Sequence, residues 1–521
     1  MRLDYVICLL SIVFVVVLYR RIVVKDSLPL PPGPKGYPIV GNTLQIPKEH
    51  AWRQYLKWSK MFGPVYSLNI AGSTFIIISS YEAAHELLNK RAANSSDRPR
   101  MIMANDLSTK GLHPLLRPYN AMYRVHQRMQ HPVLKSGAAT SYASLYELKT
   151  LQMLNSMLSA SLRATGPVQS YLETCNLGIV YALVYGEDVN TGREQIVQDT
   201  IKIQRKFGEV TKPGAYLVDT FPVMNLLPKA LAPWKAEAEA LYAEESTMHL
   251  RNLANGLRAE GWNITKQLAA SPEAKEMSRV ELAYSLGITL HAGFDTTTMI
   301  LEWFIIACLK YPACLRCAQT ELDEVVGRDR LPFLHDKDKM PYLGAMVEEV
   351  LRWRNIMNAG FPHLATAEGS YLGYRIPKNA VLLPQYHAMD VDEAVYEHPN
   401  EFIPERWLKG NLPAGGPLGA FGFGRRLCPG RNIARNTIWL VMARIIRAFD
   451  LRHATDDRGQ QIDVDADSME TGFNTRPTPF VAQYESRGEW ARSVVEKEWM
   501  STDQDVARVL TSLGRLKTSN A

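Results

Sequence analysis

Apolar residues form one run between residues 278 and 310 that is far longer than any other in the interior of the chain. Glu281, His291, Asp295 and Glu302 interrupt this run. A membrane-spanning helix needs about 20 residues with few or no charges, so these interruptions argue against a span. The pattern instead predicts one long helix that passes through the core of a globular protein.

Shorter patterns flank this helix on both sides. Residues 64–80 read as two strands that turn at Ala71-Gly72. Most periodic segments between residues 80 and 330 have helical spacing, and short strands are expected near residues 371–384 and 472–484. The chain is therefore predicted to be mainly α with small β-sheets, an α+β fold.

The N-terminus carries a second apolar run, from Tyr5 to Tyr19, followed by Arg20 and Arg21. Fifteen helical residues cover about 22 Å, and extension to Val24 reaches the ~30 Å hydrocarbon core if the arginines snorkel. Cations on the C-terminal side place the body of the protein in the cytosol. We expect residues 1–27 to form a single-pass anchor; a cleaved signal peptide is the alternative, although no small-residue cleavage site follows.

Residues 28–42 contain five prolines and three glycines, a composition typical of a semi-rigid hinge. Residues 43–485 are predicted to form the main globular domain, and residues 486–521 a charged, helical C-terminal tail. Net charge is +6 without a long basic run, which argues against nucleic acid and favours docking of an acidic partner. The six cysteines are too scattered for a disulfide framework.

One of those cysteines, Cys428, lies in the segment FGFGRRLCPG, which runs from Phe421 to Gly430. The glycines let the backbone turn sharply beside a flat ligand, and Pro429 fixes the direction in which the chain leaves. A helix is predicted to begin directly afterwards, so its dipole favours a negative charge on the sulfur. The loop therefore suits a thiolate ligand, whereas a buried structural cysteine is the alternative.

The segment matches F-x-x-G-x-R-x-C-x-G at every fixed position and resembles the haem-binding signature of the cytochrome P-450 monooxygenases. The resemblance covers residues 28–485 and implies that family's fold, with the long helix over haem b and Cys428 as the metal ligand. It also places Phe421, Arg426 and Gly430 beside the cofactor. The proline-rich hinge and the sequence RRLCPG are most similar to the corresponding segments of fungal enzymes of secondary metabolism.

The long helix carries the sequence HAGFDTT, from His291 to Thr297. It resembles the family's oxygen-activation motif, which implies that Ala292 and Gly293 adjoin the haem and that Asp295 and Thr296 deliver protons. The residues alone also allow a polar interruption in a core helix, with the threonine bonded back to its own turn.

Glu349 and Arg352 stand three residues apart on a predicted helix, and Arg406 follows in FIPERW. By themselves they could form an exposed ion pair of small energetic value. The resemblance implies instead that the three interlock and brace the cysteine loop from behind.

The family's contacts to the haem propionates are only partly matched. His363 stands at a basic position that often bonds a propionate, although it could be an ordinary loop histidine. The family's W-x-x-x-R motif has Tyr123 and Gln127 in place of its tryptophan and arginine, so Arg124 or Arg128 is expected to compensate.

The resemblance also assigns a substrate pocket. The matching positions are listed here: His291, Asn358, Ala359, Phe361 and Phe473. His291 replaces a usually apolar residue, and it either holds a polar group of the substrate or completes a hydrogen bond in the core.

These features together imply a monooxygenase that oxidises an apolar small molecule with dioxygen. The chain has no G-x-G-x-x-G fingerprint, so NADPH is expected to act only through a separate flavin reductase on the same membrane, the endoplasmic reticulum. The reductase is expected to dock near Arg425, Arg431 and Arg435. The alternatives are a haem protein that rearranges its substrate without a reductase, and a non-catalytic binding protein at the membrane.

Overall fold

The computed structural model describes residues 28–160, 164–166, 168–212, 214–410, 419–470, 472 and 474–519, and the predicted anchor 1–27 lies outside them. Helices dominate the described chain, as the sequence predicts. Their bounds are α1 Ala51–Phe62, α2 Tyr81–Ala84, α3 Ala92–Ser95, α4 Ala121–Leu134, α5 Ser136–Ser141, α6 Ala143–Ala160, α7 Gln169–Tyr185, α8 Gln195–Thr211, α9 Leu217–Thr220, α10 Pro233–Arg258, α11 Ile264–Ala269, α12 Arg279–Lys310, α13 Pro312–Val326, α14 Pro341–Trp353, α15 Tyr386–Asp390, α16 Arg431–Ala448, α17 Glu489–Ser501 and α18 Val506–Ser519.

Short strands form three small sheets. Their bounds are β1 Val65–Ile70, β2 Ser73–Ile78, β3 Ala164–Gly166, β4 His363–Leu364, β5 Gly369–Tyr371, β6 Tyr374–Ile376, β7 Val381–Pro384, β8 Phe449–His453 and β9 Ala482–Ser486. The largest sheet has the order β1-β2-β7-β4, the second β3-β9-β8, and the third pairs β5 with β6. In the largest sheet, β7 lies parallel to β2, and the other neighbours are antiparallel.

The predicted hairpin is confirmed, because β1 and β2 pair with Ile70 opposite Ser73 across the Ala71-Gly72 turn. The expected strand near residues 472–484 is displaced toward the C-terminus, since β9 begins only at Ala482. Pro477 and Pro479 lack the N–H groups that a strand ladder requires, which accounts for the irregular chain before β9.

The long helix α12 lies at the centre of the fold, against α7 and α10. It begins where the Ser278 hydroxyl accepts a hydrogen bond from the backbone N–H of Glu281. Among the described residues, α12 alone is long and apolar enough to cross a bilayer, yet 78% of its apolar window is buried in the protein. It is therefore the core helix that the interrupted apolar pattern predicts.

The cysteine loop precedes α16, which enters the core and is buried from Thr437 to Ala448. Arg444 and Arg447 are almost fully buried within this helix. Arg444 donates to the carbonyl oxygens of Pro332 and Glu147, so its charge is satisfied by backbone dipoles. This anchorage fixes the position of the loop relative to α12.

Candidate functional site

A cavity of about 1280 Å³ separates α12 from the cysteine loop. Ligand pockets usually measure about 300–1,000 Å³, so this one has room for a flat cofactor and a second molecule. The lining includes most of the residues that the sequence predicts for the site: Cys428, Phe421, Arg426, Gly430, His291, Ala292, Gly293, Asp295, Thr296, Phe361 and His363.

The cysteine loop is held rigidly from two directions. The Cys428 N–H donates to the Phe421 carbonyl oxygen at 2.9 Å, which closes the loop on itself. Gly424 has φ +59°, and a Cβ at this position would lie 2.1 Å from the Leu88 carbonyl oxygen. Its N–H also donates to Asn89 Oδ1 at 2.6 Å. Only glycine fits between the loop and this neighbouring segment.

The Cys428 thiol lies at the cavity wall beside the N-terminus of α16. Burial raises the pKa of the Cys428 thiol, and the backbone N–H of Gly430 and the charge of Arg431 act in the opposite direction. The N–H groups and the Arg431 charge do not overcome desolvation here. A thiolate at this position is stabilised when it coordinates a metal, which deprotonates the sulfur outright.

A group of basic side chains lines one edge of the cavity. Arg426 donates from Nε to the Ser96 carbonyl oxygen at 2.8 Å and from Nη2 to the Arg117 carbonyl oxygen at 2.7 Å. Its buried Nη1 has no hydrogen-bond partner among the described residues. His363 donates from Nδ1 to the Ser95 carbonyl oxygen at 2.7 Å.

Arg98 is the third basic residue at this edge of the cavity, and it belongs to none of the sequence motifs that predict the site. It donates to the carbonyl oxygens of Pro362 and Leu115 at 2.5 and 3.2 Å. Burial, together with the nearby Arg426 charge, lowers the pKa of Arg98 to about 9. Arg98 and Arg426 donate to backbone carbonyl oxygens rather than to carboxylates. The edge therefore suits a ligand that brings its own carboxylates, as a haem does.

The two positions that depart from the family pattern support the loop. The Arg426 guanidinium lies 3.8 Å from the centre of the Tyr123 ring. Gln127 donates from Nε2 to the Arg425 carbonyl oxygen at 2.9 Å.

Arg124 and Arg128, which were expected to compensate for Gln127, do not line the cavity. Both are exposed on the outer face of α4. Arg128 forms an ion pair with Glu276 at 3.4 Å, and Arg124 lies 5.9 Å from the Tyr119 ring. The structure thus corrects this expectation, because Arg98 occupies the position at the cavity edge.

Ala292 and Gly293, which have the smallest side chains, line the cavity from the middle of α12. A Cβ on Gly293 would lie 2.9 Å from Val180 Cγ1, so close packing against α7 also favours glycine. Thr296 donates from Oγ1 to the Ala292 carbonyl oxygen at 2.7 Å. The back-bonded threonine that the sequence allowed is therefore present, and its hydroxyl oxygen can still accept a hydrogen bond from the cavity.

Asp295 does not stand alone, because Arg476 bridges it to a second acid. The Arg476 guanidinium lies 3.3 Å from Asp295 and 3.2 Å from Glu302. Burial raises the pKa of the Asp295 carboxyl, and the Arg476 charge counteracts this shift. Burial also raises the pKa of Glu302, to about 7. In the sequence, Glu302 stands out only as a charge within an apolar run, and Arg476 belongs to none of the motifs that predict the site.

The predicted brace behind the loop is fully buried. Arg352 donates from Nη2 and Nε to the two Glu349 oxygens at 2.7 and 2.9 Å. Arg406 and Trp407 donate to the same carboxylate at 3.1 and 2.9 Å. Arg352 also binds the carbonyl oxygens of three further residues: Asp390, Pro399 and Glu401.

The substrate-pocket residues divide into three groups. His291 and Phe361 line the cavity. Asn358 and Ala359 do not; Asn358 donates to the Thr475 hydroxyl at 3.2 Å, and the neighbouring Ile356 and Met357 line the cavity instead. Phe473 lies outside the described residues.

Comparison with known proteins agrees with this geometry. The family described as Cytochrome P450 matches residues 31–481. Cytochrome P450 monooxygenase aneD of Aspergillus aculeatus is 34% identical over 93% of this chain and 93% of its own length. Cytochrome P450 monooxygenase FrzL of a Cladobotryum species is 34% identical over 96% and 95%, and cytochrome P450 monooxygenase peniB of Penicillium patulum is 31% identical over 98% and 95%.

Proposed function

The chain belongs to the cytochrome P450 family and is a monooxygenase, and we propose that it oxidises an apolar small molecule in a fungal secondary-metabolite pathway. Its relatives are fungal monooxygenases that match it over nearly their whole length. Most of the surface that lines the cavity is apolar, which suits a hydrophobic substrate.

The cofactor is haem b, which supplies the oxygen-activating chemistry when bound. Cys428 would hold its iron, and Arg426, Arg98 and His363 would hold its carboxylates. The unpartnered Nη1 of Arg426 is the observation that best supports this fit. The small methyl side chain of Ala292 would let a flat ring approach α12.

Asp295 and Thr296 would move protons on the side of the cavity opposite the thiol. A carboxyl with a raised pKa retains a proton nearer to neutral pH, which suits a general acid. Arg476 would set how readily Asp295 gives that proton up, and the Thr296 hydroxyl would relay it.

Electrons would come from a separate NADPH-dependent flavin reductase. Arg425 stands exposed beside the cysteine loop and can contact an acidic partner. Arg431 and Arg435 are half-buried, and Arg435 is paired with Glu348. Arg425 is therefore the principal docking charge of the three expected residues.

The protein would be held at the endoplasmic reticulum membrane by residues 1–27, with the catalytic domain in the cytosol. Exposed apolar side chains in the hinge region and in the segment 217–231 support contact with a lipid surface. The most exposed of these are Ile39, Leu44, Leu217, Val223, Leu226 and Leu231.

The observation that carries the proposal is the placement of Cys428 across one cavity from Asp295 and Thr296. The test is coexpression with a fungal reductase, incubation with candidate metabolites under isotopically labelled dioxygen, and product analysis. We expect one labelled oxygen atom per product and a red-shifted thiolate band in the reduced, carbon monoxide-bound spectrum. Unlabelled products formed without reductase, or full activity in Cys428→Ser, would contradict the proposal.

A further inference from the structure

The cavity wall contains a polar side chain that neither the thiol site nor the proton-delivery residues explain. His291 lines the cavity on α12, one helical turn before Asp295. It is only 4% exposed, and its Nε2 has no hydrogen-bond partner among the described residues. An unpartnered buried imidazole nitrogen costs about 1–3 kcal/mol, so a structural role alone does not account for it.

A second histidine stands directly behind His291. The rings of His291 and His249, which lies on α10, have centres 5.3 Å apart at an angle of 51°. His249 is fully buried, and neither of its ring nitrogens has a hydrogen-bond partner in the described part of the chain. Two adjacent imidazoles with unused hydrogen-bonding capacity therefore lie between α10 and α12.

A carboxylate completes the group from the far side. Glu245 Oε1 lies 3.5 Å from His249 Nε2. Tyr284 donates to the other carboxylate oxygen at 3.1 Å and packs edge-on against the His249 ring, with centres 4.8 Å apart. Glu245 is thus held in place at a distance from which its charge can influence the orientation of the His249 ring.

The backbone of α12 is shaped to admit this group. A Cβ on Gly287 would lie 2.1 Å from both Cε1 and Nδ1 of His249. Glycine in the middle of a helix is unfavourable by about 1 kcal/mol relative to alanine. Glycine at position 287 therefore lowers the helix propensity of α12, but it leaves room for the His249 ring that a side chain would displace.

We propose that His291, backed by His249 and Glu245, is a neutral hydrogen-bonding site that binds one hydroxyl or N–H group of an otherwise apolar substrate. This inference rests on the proposed function and adds a substrate class to it. Four residues rise about 6 Å along a helix, so a group bound at His291 would be held one turn from Asp295. His291 is accordingly a specificity-determining residue, and His249 and Glu245 position it.

The site is neutral because of its surroundings. Burial, together with the neighbouring His249 and His113, lowers the pKa of His291 to about 3, and Glu245 acts in the opposite direction. His113 also lies at the cavity wall, and burial, together with the neighbouring His249, lowers its pKa to about 3. A neutral imidazole has one donor and one acceptor nitrogen, which suits a hydroxyl or an N–H group better than a carboxylate.

The experiment measures preference, using the haem-loaded enzyme and three probes that share one skeleton: 1-hydroxypyrene, 1-methylpyrene and 1-pyrenecarboxylate. Kd values come from titrations followed by haem absorbance and by calorimetry. We expect the wild-type protein to bind the hydroxyl probe roughly tenfold tighter than the methyl probe, the value of one buried hydrogen bond. The carboxylate should bind more weakly than the hydroxyl probe.

Three variants separate recognition from packing. His291→Leu should remove the preference for the hydroxyl probe, and His291→Gln, which keeps a hydrogen-bonding group, should restore part of it. Gly287→Ala should weaken the preference by displacing His249 while leaving His291 in place. An unchanged hydroxyl-to-methyl ratio in His291→Leu, or tighter binding of the carboxylate, would overturn the proposal.

The same samples keep this inference distinct from the proposed function. The carbon monoxide spectrum tests the haem-thiolate site and is expected to persist in all three variants, whereas labelled-oxygen incorporation by the wild-type protein tests the monooxygenase. Loss of those signals in the wild-type protein would reject the proposed function. Their presence, together with no hydroxyl preference in the wild-type protein, would reject the inference alone.

Discussion

Asp295 and Thr296 place a carboxyl group and a hydroxyl group side by side at the cavity, and the role of each side chain depends on the other. Asp295 and Thr296 adjoin on α12, and their two polar groups reach the cavity together. The threonine hydroxyl is oriented by its bond to the Ala292 carbonyl oxygen. Its loss should therefore affect proton delivery more than folding.

We expect Thr296→Ala to uncouple the enzyme. Product formed per NADPH should fall on the order of 10²-fold, the lower range of acid–base effects, while dioxygen consumption continues and peroxide accumulates. Thr296→Ser keeps the hydroxyl and serves as the control. The measurement compares NADPH oxidised, peroxide released and product formed; equal coupling in Thr296→Ala would exclude this role.

Haem retention should depend on Arg426. Replacement by glutamine removes a charge-assisted contact worth about 1.5–3 kcal/mol, so Arg426→Gln should lose haem to apomyoglobin about 10- to 100-fold faster. Arg124→Gln is the matched control, because Arg124 is exposed and does not line the cavity. Similar loss rates in the two variants would show that Arg426 does not contact the cofactor.

Glu302 should make stability depend on pH. Its pKa is raised to about 7, against an ordinary value near 4.5, so the folded state binds its proton more tightly than the unfolded state does. The free energy of unfolding should therefore fall progressively as pH rises from 4.5 through 7, by at most on the order of 3 kcal/mol. The carboxylate contributes no such penalty below pH 4.5.

Removing that carboxylate should relieve the penalty at high pH. Glu302→Gln should raise Tm relative to wild type more at pH 8 than at pH 5, as measured by calorimetry. Arg476 keeps Asp295 as an ion-pair partner in this variant, which limits the loss from breaking its contact with Glu302. A Tm difference independent of pH would contradict the assignment.

These side chains are positioned by whole helices and by the segments that connect them. The sequence predicts the helices well. The apolar run predicts α12, and its observed start at Arg279 agrees with the capping residue Ser278. The family resemblance anticipates the buried network of Glu349, Arg352 and Arg406. Local periodicity and spacing suffice for such features, because each lies on one element or in a fixed motif.

Contacts between distant segments are where prediction from the sequence stops. Arg426 meets Ser96 across a separation of 330 residues. Arg98 and Arg476 are single arginines in irregular chain, and neither follows a helical or strand period. Their roles depend on how α12 and the cysteine loop are brought together, which a local pattern does not encode.

The brace between α14 and the segment around Arg406 should be essential. Glu349→Gln leaves two buried guanidinium groups without their counter-charge, which costs about 3–5 kcal/mol. We expect little soluble holoprotein and a lowered Tm. The adjacent Glu348→Gln breaks only the half-exposed pair with Arg435 and should change stability by about 0–1 kcal/mol. Equal effects of the two substitutions would argue against a special role for the brace.

The molecule as a whole includes its C-terminal segment, which the sequence suggested was a separate charged tail. The helices α17 and α18 pack against α6, and α18 also contacts α7. Val495, Leu510 and Leu513 join the main hydrophobic core. The charged residues of this segment mask an amphipathic pattern, so composition alone concealed its contribution to the core.

Shortening one of those core side chains should therefore destabilise the entire domain. Leu510 is 0% exposed, and replacing a buried leucine by alanine costs about 2–5 kcal/mol through lost burial and the cavity left behind. Leu510→Ala should lower the Tm of the holoprotein and the fraction that retains the red-shifted carbon monoxide band after heating. Met500, 85% exposed on α17, provides the control, and Met500→Ala should leave both readouts unchanged. If Leu510→Ala behaved like Met500→Ala, the segment would be a dispensable appendage; a selective loss would show that the haem-binding core extends through α18.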